Sequence, residues 1–443
     1  MKKISLLVAL AFSPPLFAAT DLLQVYREAL TQDAAFQAAK SAQIAGQEKL
    51  AQGRALFLPS INLSANTTLN EVDTQYRSTS IFSSGNKKYN SHGYTVSLNQ
   101  PLYRAQNYAT YAQAKYSVEQ VNALYITAQQ DLAVRVAQAY FDVLLAQYNV
   151  TLAQAQQESI GEQLAQAKRN FEVGTSTITD THDAQARFDL TIAQEIAAQN
   201  ELEIKRRSLQ QIINRQPDEL VTVKGEVPLV SPEPNSMDAW VEKALAQNPE
   251  TQIAKAAYDI AVEEVRKAHG GHLPTLDLVA TYGDNTQGGG NFGGSVQIAK
   301  TIGLQMNLPI FAGGAASSKV REAVANQEKA RHELDQAQRK VALQARSAYL
   351  GVTSGIAQVK ALQQAVISNQ SSLDSTKLGL EVGVRTSVDL LNARQLLFSA
   401  RRDLAQALYG YIVSRLKLEA SAGDLNDADV SQVNGWLNQG AKP

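Results

Sequence analysis

AQNYATYAQAKYSVEQVNALYITAQQDLAVRVAQAYFDVLLAQYNVTLAQAQQESIGEQLAQAKRN, from Ala105 to Asn170, contains no proline and a single glycine, Gly161. It is dense in Ala, Gln, Leu and Val, which form or tolerate helix. Apolar residues recur at Ala114, Val118, Val121, Tyr125, Ala128 and Leu132, in alternating steps of four and three. That is the seam of a helix packing lengthwise on another helix. At 1.5 Å per residue the stretch makes a rod of roughly 100 Å. A compact domain has no use for such a rod, so its length points to function.

Outward from the rod the period changes. Residues 21–55 read as a helix, ended by Leu58-Pro59-Ser60, because proline disfavours helix in the residue before it and cannot continue the ladder. Ile61, Leu63, Ala65, Thr67 and Leu69 then alternate with Asn62, Ser64, Asn66, Thr68 and Asn70, the pattern of a strand with one apolar and one polar face. Strands are expected over 58–70 and 92–103, with a polar loop containing Gly85 between them. The rod occupies 105–171. Val173-Gly174-Thr175-Ser176-Thr177 is a turn with Gly174 suited to a helix C-terminus. Asp180 is expected to cap a return helix over 180–213. Pro217, Pro228, Pro232 and Pro234 mark a linker.

The unit then repeats. A helix is expected over 237–268, strands over 274–284 and 295–311, a second rod over 315–380 and a return helix over 389–421. Leu273-Pro274-Thr275 echoes Leu58-Pro59-Ser60, Glu381-Val382-Gly383 echoes Glu172-Val173-Gly174, and Asp389 falls where Asp180 does. Lys300 is the one polar residue on the apolar face of the last strand. The chain is thus a tandem duplication: residues 20–228, residues 229–423, and a tail over 424–443. Each rod is about as long as two of the flanking helices end to end. The economical packing is two rods, each lined by a stacked pair of half-length helices, with the strands at one end and the turns at the other.

Length alone suggests about three domains, but the repeat overrides that prior. The chain has 443 residues, a formal net charge of -1 and no cysteine. Near-neutral charge gives no case for nucleic acid. Without cysteine there is no disulfide, thiolate metal site, cysteine nucleophile or lipid anchor through a cysteine. Residues 1–19 read as a secretory signal: Lys2 and Lys3, an apolar Ile4 to Phe12, and the small pair Ala18-Ala19. No later apolar run is long enough for a transmembrane helix, so a membrane is crossed by strands if it is crossed at all. Four strands cannot close a barrel, and open edges are forbidden in lipid. Closure needs several chains, with the polar face lining a wet lumen and the apolar face meeting lipid. The pattern does not give the number of chains.

The duplicated strand–rod–turn unit, the leader and the paired turns Val173-Gly174…Thr179-Asp180 and Val382-Gly383-Val384-Arg385-Thr386…Asp389 resemble the TolC family of outer-membrane efflux and secretion ducts. The tail Gly423-Asp424-Leu425-Asn426-Asp427-Ala428-Asp429 carries the same resemblance, and the lack of cysteine favours the unacylated branch. The resemblance implies an α+β membrane protein: a homotrimer with a twelve-stranded transmembrane β-barrel continuous with a twelve-helix periplasmic α-barrel. The linker and the tail would form an equatorial belt. It implies a passive exit duct of a tripartite efflux pump or type I secretion system, set in outer-membrane lipid. A periplasmic membrane-fusion adaptor and an inner-membrane ABC, RND or MFS transporter would open it. No cofactor or metal is implied.

The resemblance also assigns roles at the turns. Asp389 would face the pore, and three copies would form an acidic, cation-selective ring. The family's second aspartate falls at Asn392, and Asp183, at the repeat-equivalent place, would restore that charge. The simpler reading of Asp180 and Asp389 is helix capping. Arg385 with Thr179 and Asp180 would form the entrance latch. The family tyrosine of that latch falls at Leu380, so one hydrogen bond is missing, a loss on the order of 1 kcal/mol. Val173, Gly174, Thr175, Val382, Gly383 and Val384 would receive the adaptor's helical hairpin, since glycine lets another backbone approach closely.

His269-Gly-Gly-His272 lacks an acidic or cysteine partner nearby, and Gly288 to Gly294 leads from strand to strand rather than into a helix, so neither reads as a metal or phosphate site. No Ser/His/Asp spacing or paired-carboxylate pocket stands out, so an enzyme is not expected. The rival reading is a periplasmic coiled-coil adaptor or tether without a barrel. Against it stand the amphipathic strands with Pro59, Pro101, Pro274 and Pro309 at matching places.

Overall fold

The structure is a computed structural model that describes residues 20–78, 81, 84–223, 227–290 and 293–438. The leader read at 1–19 and residues 439–443 of the tail lie outside them. The element order is α1 (Leu22–Gln32), α2 (Ala34–Ala55), β1 (Ser60–Thr74), β2 (Gly85–Arg104), α3 (Ala105–Glu172), α4 (Ile178–Ile213), α5 (Met237–Gln247), α6 (Pro249–Gly270), β3 (Thr275–Gln287), β4 (Ser295–Asn307), α7 (Ala315–Glu381), α8 (Ser387–Ala422) and α9 (Asp427–Asn438). No helix among the described residues is long and apolar enough to cross a membrane. The chain divides into two compact units, and α3 and α7 contribute residues to both.

One unit combines Ser41–Tyr125 and Glu250–Gln338. Its four strands form one antiparallel sheet in the order β1-β2-β3-β4. Directly opposed residues share a face. Ile61↔Leu98↔Ala280↔Ile302 and Leu63↔Val96↔Tyr282↔Lys300 lie on one face, and Asn62↔Ser97↔Thr281↔Thr301 on the other. The apolar face is bare: Ile61, Leu63, Leu69, Ile302, Leu304 and Met306 are all exposed. Lys300 carries its ammonium 5.6 Å from the centroid of the Tyr282 ring, so the cation on that face is met by a π surface. The bidentate pair Arg104–Asp277, at 2.9 and 2.7 Å, ties the end of β2 to β3 beside a bulge at Pro101/Tyr103.

Several expected bounds are corrected. β1 runs to Thr74 and β2 starts at Gly85, because Glu71 to Thr74 pair with Gly85 to Lys88 although no apolar alternation marks them. β3 extends to Gln287 for the same reason. β4 stops at Asn307 rather than 311, since Pro309 has no N–H to give the ladder. Against the sheet, small residues let the helices close up. A Cβ at Gly46 would come within 2.6 Å of Val121, and one at Gly53 within 3.0 Å of Ala114, so α2 lies flush on α3 one heptad apart.

The other unit combines Met1–Lys40, Ile126–Pro249 and Arg339–Pro443. Its buried positions include Leu22, Val25 and Tyr26 of α1, Val136, Tyr140 and Phe141 of α3, Leu209 and Ile213 of α4, and Tyr411, Ile412 and Leu416 of α8. Tyrosines anchor the linker. Tyr140 Oη donates to Val221 O at 2.7 Å, Tyr349 Oη to Asn235 Oδ1 at 2.8 Å, and Tyr411 Oη accepts from Val230 N at 3.0 Å. The tail carries α9, where Asn434 accepts from Leu23 N at 3.2 Å and donates to Asp21 at 3.0 Å, seating it on the start of α1. The return helices both end in a left-handed residue, Asn214 at φ 56° and Gly423 at φ 81°.

The helices expected over 21–55 and 237–268 are each broken in two. Asp33 closes α1 and, by accepting from Phe36 N at 2.8 Å, opens α2. Its side chain is only 6% exposed and meets both terminal nitrogens of Arg135 at 3.2 Å. Asn248 stands before Pro249, which excludes helix there, and its amide donates to Ser421 O at 2.8 Å.

Candidate functional site

The two turns are built alike, and both belong to the helical unit. At the end of α3, Gly174 N donates to Phe171 O at 3.0 Å and Thr175 N to Asn170 O at 2.8 Å, a Schellman pair. At the end of α7, Gly383 N donates to Leu380 O at 3.1 Å and Val384 N to Gly379 O at 2.9 Å. Such a pair demands a left-handed residue, and Gly174 (φ 78°) and Gly383 (φ 81°) supply it without steric cost. Val173, Val382 and Val384 are left 73%, 66% and 75% exposed. Thr175 is exposed too, so the tips present branched apolar side chains to solvent.

The expectation that Asp180 and Asp389 cap the return helices is corrected. The N-caps are Thr177 and Thr386, and the aspartates stand three residues in, as the second half of a capping box. Thr177 Oγ1 accepts from Asp180 N at 3.2 Å while Thr177 N donates back to Asp180 Oδ2 at 3.0 Å. Ser176 Oγ adds a bond of 2.7 Å to the same oxygen. In the second turn the reciprocal distances are 3.2 and 2.9 Å. These donors favour the ionised form. The Ser176 hydroxyl, then the Thr177 amide and hydroxyl, hold the Asp180 carboxyl below the usual carboxylate range. The Thr386 amide and hydroxyl, then the Arg385 charge, do so for Asp389. Thr177→Ala removes an acceptor from the first turn of α4. It should loosen that turn by about 1 kcal/mol, read as faster amide exchange at residues 178–181.

The remaining assigned residues are not all brought together. Arg385 lies folded back on its own turn, its Cγ at 2.7 Å from where a Cβ on Gly379 would stand, and its backbone N donates to Gly379 O at 3.1 Å. Among the described residues no hydrogen bond or ion pair joins Arg385 to Thr179 or Asp180 of the same chain. Thr179 and Asp183 are exposed on α4. Asn392 accepts from Arg187 Nη2 at 2.9 Å, so the position where the resemblance implies a second aspartate carries a neutral group under a cation.

What the sequence reading missed is a polar seam between the hairpin of α3 and α4 and the helix α8. Gln156 donates to Gln395 at 2.6 Å and Gln163 to Ser387 O at 3.2 Å. Arg394 donates to Ser159 O at 2.6 Å and also to the Ser159 hydroxyl. Burial pushes the Arg394 guanidinium below its ordinary value without removing its charge. The partners lie more than two hundred residues apart, and each alone reads as an ordinary surface residue. Below the seam Leu164, Ala167, Ala184 and Phe188 pack together, with Phe188 at 3.1 Å from where a Cβ on Gly161 would stand.

A family model described as "Outer membrane efflux protein" matches residues 25–215 and 240–424, the two repeats. The chain is similar to the outer membrane protein TolC of Vibrio cholerae, 33% identical over 96% of this chain and 95% of that one. It is similar to the alkaline protease secretion protein AprF of Pseudomonas aeruginosa, 35% identical over 96% of this chain and 89% of that one. Its fold matches the CmeC outer membrane channel of Campylobacter jejuni with a TM-score of 0.78 at 18% identity, over 96% of this chain and 91% of that one. A barrel-less tether is not favoured by these likenesses, nor is an enzyme. The paired repeats, the sheet with its bare apolar face and the capped twin turns belong to one design: the chain is a member of the outer membrane efflux protein family, passive exit ducts of the outer membrane with a large periplasmic portion.

Proposed function

We propose that three copies of this chain join their sheets into one twelve-stranded barrel through the outer membrane, continuous with a twelve-helix periplasmic tunnel. The observation that carries this is the sheet: among the described residues it has four strands with both outer edges unpaired, one face apolar and exposed, the other lined by Asn, Ser and Thr. In lipid such a sheet is tenable only when its edges meet further copies. The equatorial belt is assigned to the tyrosine-anchored linker and α9.

The turns then form the periplasmic entrance. Asp389 and Asp180, both kept ionised, would ring the aperture with Asp183 and favour cations. Arg385 would latch a closed entrance by reaching Thr179 and Asp180 of a neighbouring copy. The exposed Val173, Gly174, Thr175, Val382, Gly383 and Val384 would receive a periplasmic membrane-fusion adaptor, itself joined to an inner-membrane ABC, RND or MFS transporter that supplies energy and direction. The relative named for alkaline protease secretion supports use in type I secretion, and the efflux family supports small-molecule export.

The test is fractionation and reconstitution. The purified chain should run as a heat-modifiable, detergent-resistant trimer from the outer-membrane fraction and conduct ions in planar bilayers. A soluble monomer sinks the reading. Cysteines at Thr175 and Val384 should cross-link an adaptor hairpin in cells, and no adduct there would remove the turns as the docking place.

A further inference from the structure

We propose that the helical unit carries a weak binding groove for organic cations with an aromatic body, set in the wall of the tunnel and passed by the cargo on its way out. This rests on the reading of the chain as a duct. The groove holds about 540 Å³ between α3 and α7 and is floored by α8. That volume is in the range of drug-sized sites. Asp403, Gln406, Gly410 and Ser414 follow one another on α8 in steps of three, four and four, a single stripe. Ile412 and Leu416, fully buried, lie on the other side of that helix. On α3 the groove takes Gln138, Asp142 and Leu145, while Tyr140 turns away from them and bonds Val221 O of the linker at 2.7 Å. With the linker in an outer belt, the groove opens on the lumen.

Its floor is cut away where the repeat would fill it. The return helices have 36 residues each and open at Ile178 and Ser387, so Gly410 stands where α4 carries Glu201, and Ser414 where α4 carries Lys205. Glycine inside a helix is unfavourable. At Gly46 and Gly161 a close neighbour requires it, at 2.6 and 3.1 Å from where a Cβ would stand. A Cβ at Gly410 would meet nothing within 4 Å, and at Gly351 and Gly355 nothing closer than 3.8 and 3.6 Å. Packing accounts for none of these three glycines, and what they share is the groove.

The lining sets the ligand class. Among the described residues its charged side chains are Asp142 and Asp403, with no lysine or arginine. Lys205 meets Asp142 at 3.4 Å from the α4 side, and Arg402 meets Asp403 at 3.1 Å. Both pairs are wet and hold their cations weakly, so an entering cation competes for either carboxylate. Lys417 reaches Gln138 at 3.3 Å beside them. Tyr409, stacked on the buried Phe141 with ring centroids 5.5 Å apart, joins Leu145 and Leu362 in the apolar part of the wall. An anion would face two carboxylates, and a bare metal ion would leave the apolar wall unused. A cation bearing aromatic rings uses both. An open groove with wet carboxylates also lets go, as a conduit requires.

The test is equilibrium binding to the purified full-length trimer, read as fluorescence polarisation of ethidium. Tetraphenylphosphonium serves as competitor and the anion fluorescein as comparison. Ethidium should bind saturably, tetraphenylphosphonium should displace it, and fluorescein should not bind. Gly410→Leu fills the floor without a clash and should weaken ethidium about tenfold. Asp142→Asn with Asp403→Asn keeps the shape and should weaken it by a similar factor. Gly435→Leu on α9, where a Cβ also meets nothing within 4 Å, should leave binding unchanged. A trimer that binds no ethidium, equal binding by the parent and by Gly410→Leu, or equal binding of fluorescein overturns the proposal. Binding lost in Asp389→Asn but kept in Gly410→Leu would place the cation at the turns and overturn it too. Failure of the parent protein to form trimers would instead count against the ring itself.

Discussion

Arg385→Ala raises the single-channel conductance of the reconstituted trimer. The side chain is exposed and folded over Gly379, with no bond to Thr179 or Asp180 of its own chain. The Asp180 carboxylate is already held by Ser176 and Thr177, but it remains ionised and keeps acceptor capacity for a cation from a neighbouring copy. A charge-assisted hydrogen bond contributes about 1.5–3 kcal/mol. Its loss should lower the closed-to-open ratio by about tenfold to a hundredfold, at a tenfold change per 1.4 kcal/mol. Leu380→Tyr is the complement. A hydroxyl restored beside the turn adds a bond, so that variant should conduct less than the parent. If Arg385→Ala leaves the conductance where it was, Arg385 is an exposed cation of no consequence to the gate.

Arg135→Ala unfolds the helical unit at lower temperature than any change at the turns. Asp33 is nearly enclosed, and Arg135 supplies its counter-charge as well as two donors. Removing the cation leaves a buried carboxylate. Breaking a fully buried pair costs about 3–5 kcal/mol. Arg135 is itself about one-third exposed, and water reaching the gap reduces the loss to about 2–3 kcal/mol. Burial alone would push the Asp33 carboxyl up, but the Arg135 guanidinium and the amides of Phe36 and Ala35 outweigh it and hold it below its ordinary 3.8. A carboxyl depressed in the folded state contributes stability above its unfolded pKa. That contribution is lost as pH falls through the folded value. Without Arg135 the burial penalty is opposed only by the amides of Phe36 and Ala35, so the loss relative to the parent should be largest near neutral pH and shrink as acid protonates Asp33. Thermal melts followed by circular dichroism between about pH 3 and pH 7 should show this. A variant that melts with the parent across that range would place Asp33 in contact with water.

Much of the architecture was legible because the long helices declare themselves by what they lack. Over Ala105–Glu172 the only breaker is Gly161, and its want of a Cβ serves Phe188. Leu58-Pro59 and Leu273-Pro274 mark the change from helical to alternating period in both repeats. Asp33 was not legible as a break, since one aspartate in a helical run usually marks a solvated face. Its role depends on Arg135, about a hundred residues away. The end of β1 was missed because Glu71 to Thr74 are held by backbone pairing alone. At the turns the pattern Thr-x-x-Asp was visible at Thr177 and Thr386, yet capping was given to the aspartate. The charge on an aspartate draws the eye, while the geometry favours the threonine hydroxyl at the first position. The seam of Arg394, Gln395 and Arg187 left no trace, because polar partners that meet only after folding follow no local period.

The raw margins of β1 and β4 bear on how the molecule is made as well as how it works. A newly exported chain carries two ladders of unsatisfied N–H and C=O groups flanking a greasy surface. Entering the bilayer singly would strand those groups in hydrocarbon, so siblings must find one another before or during insertion. For the proposed trimer, biogenesis would then be a third-order encounter disguised as a folding problem. In that assembly the yield of finished duct would fall steeply as the polypeptide becomes scarce.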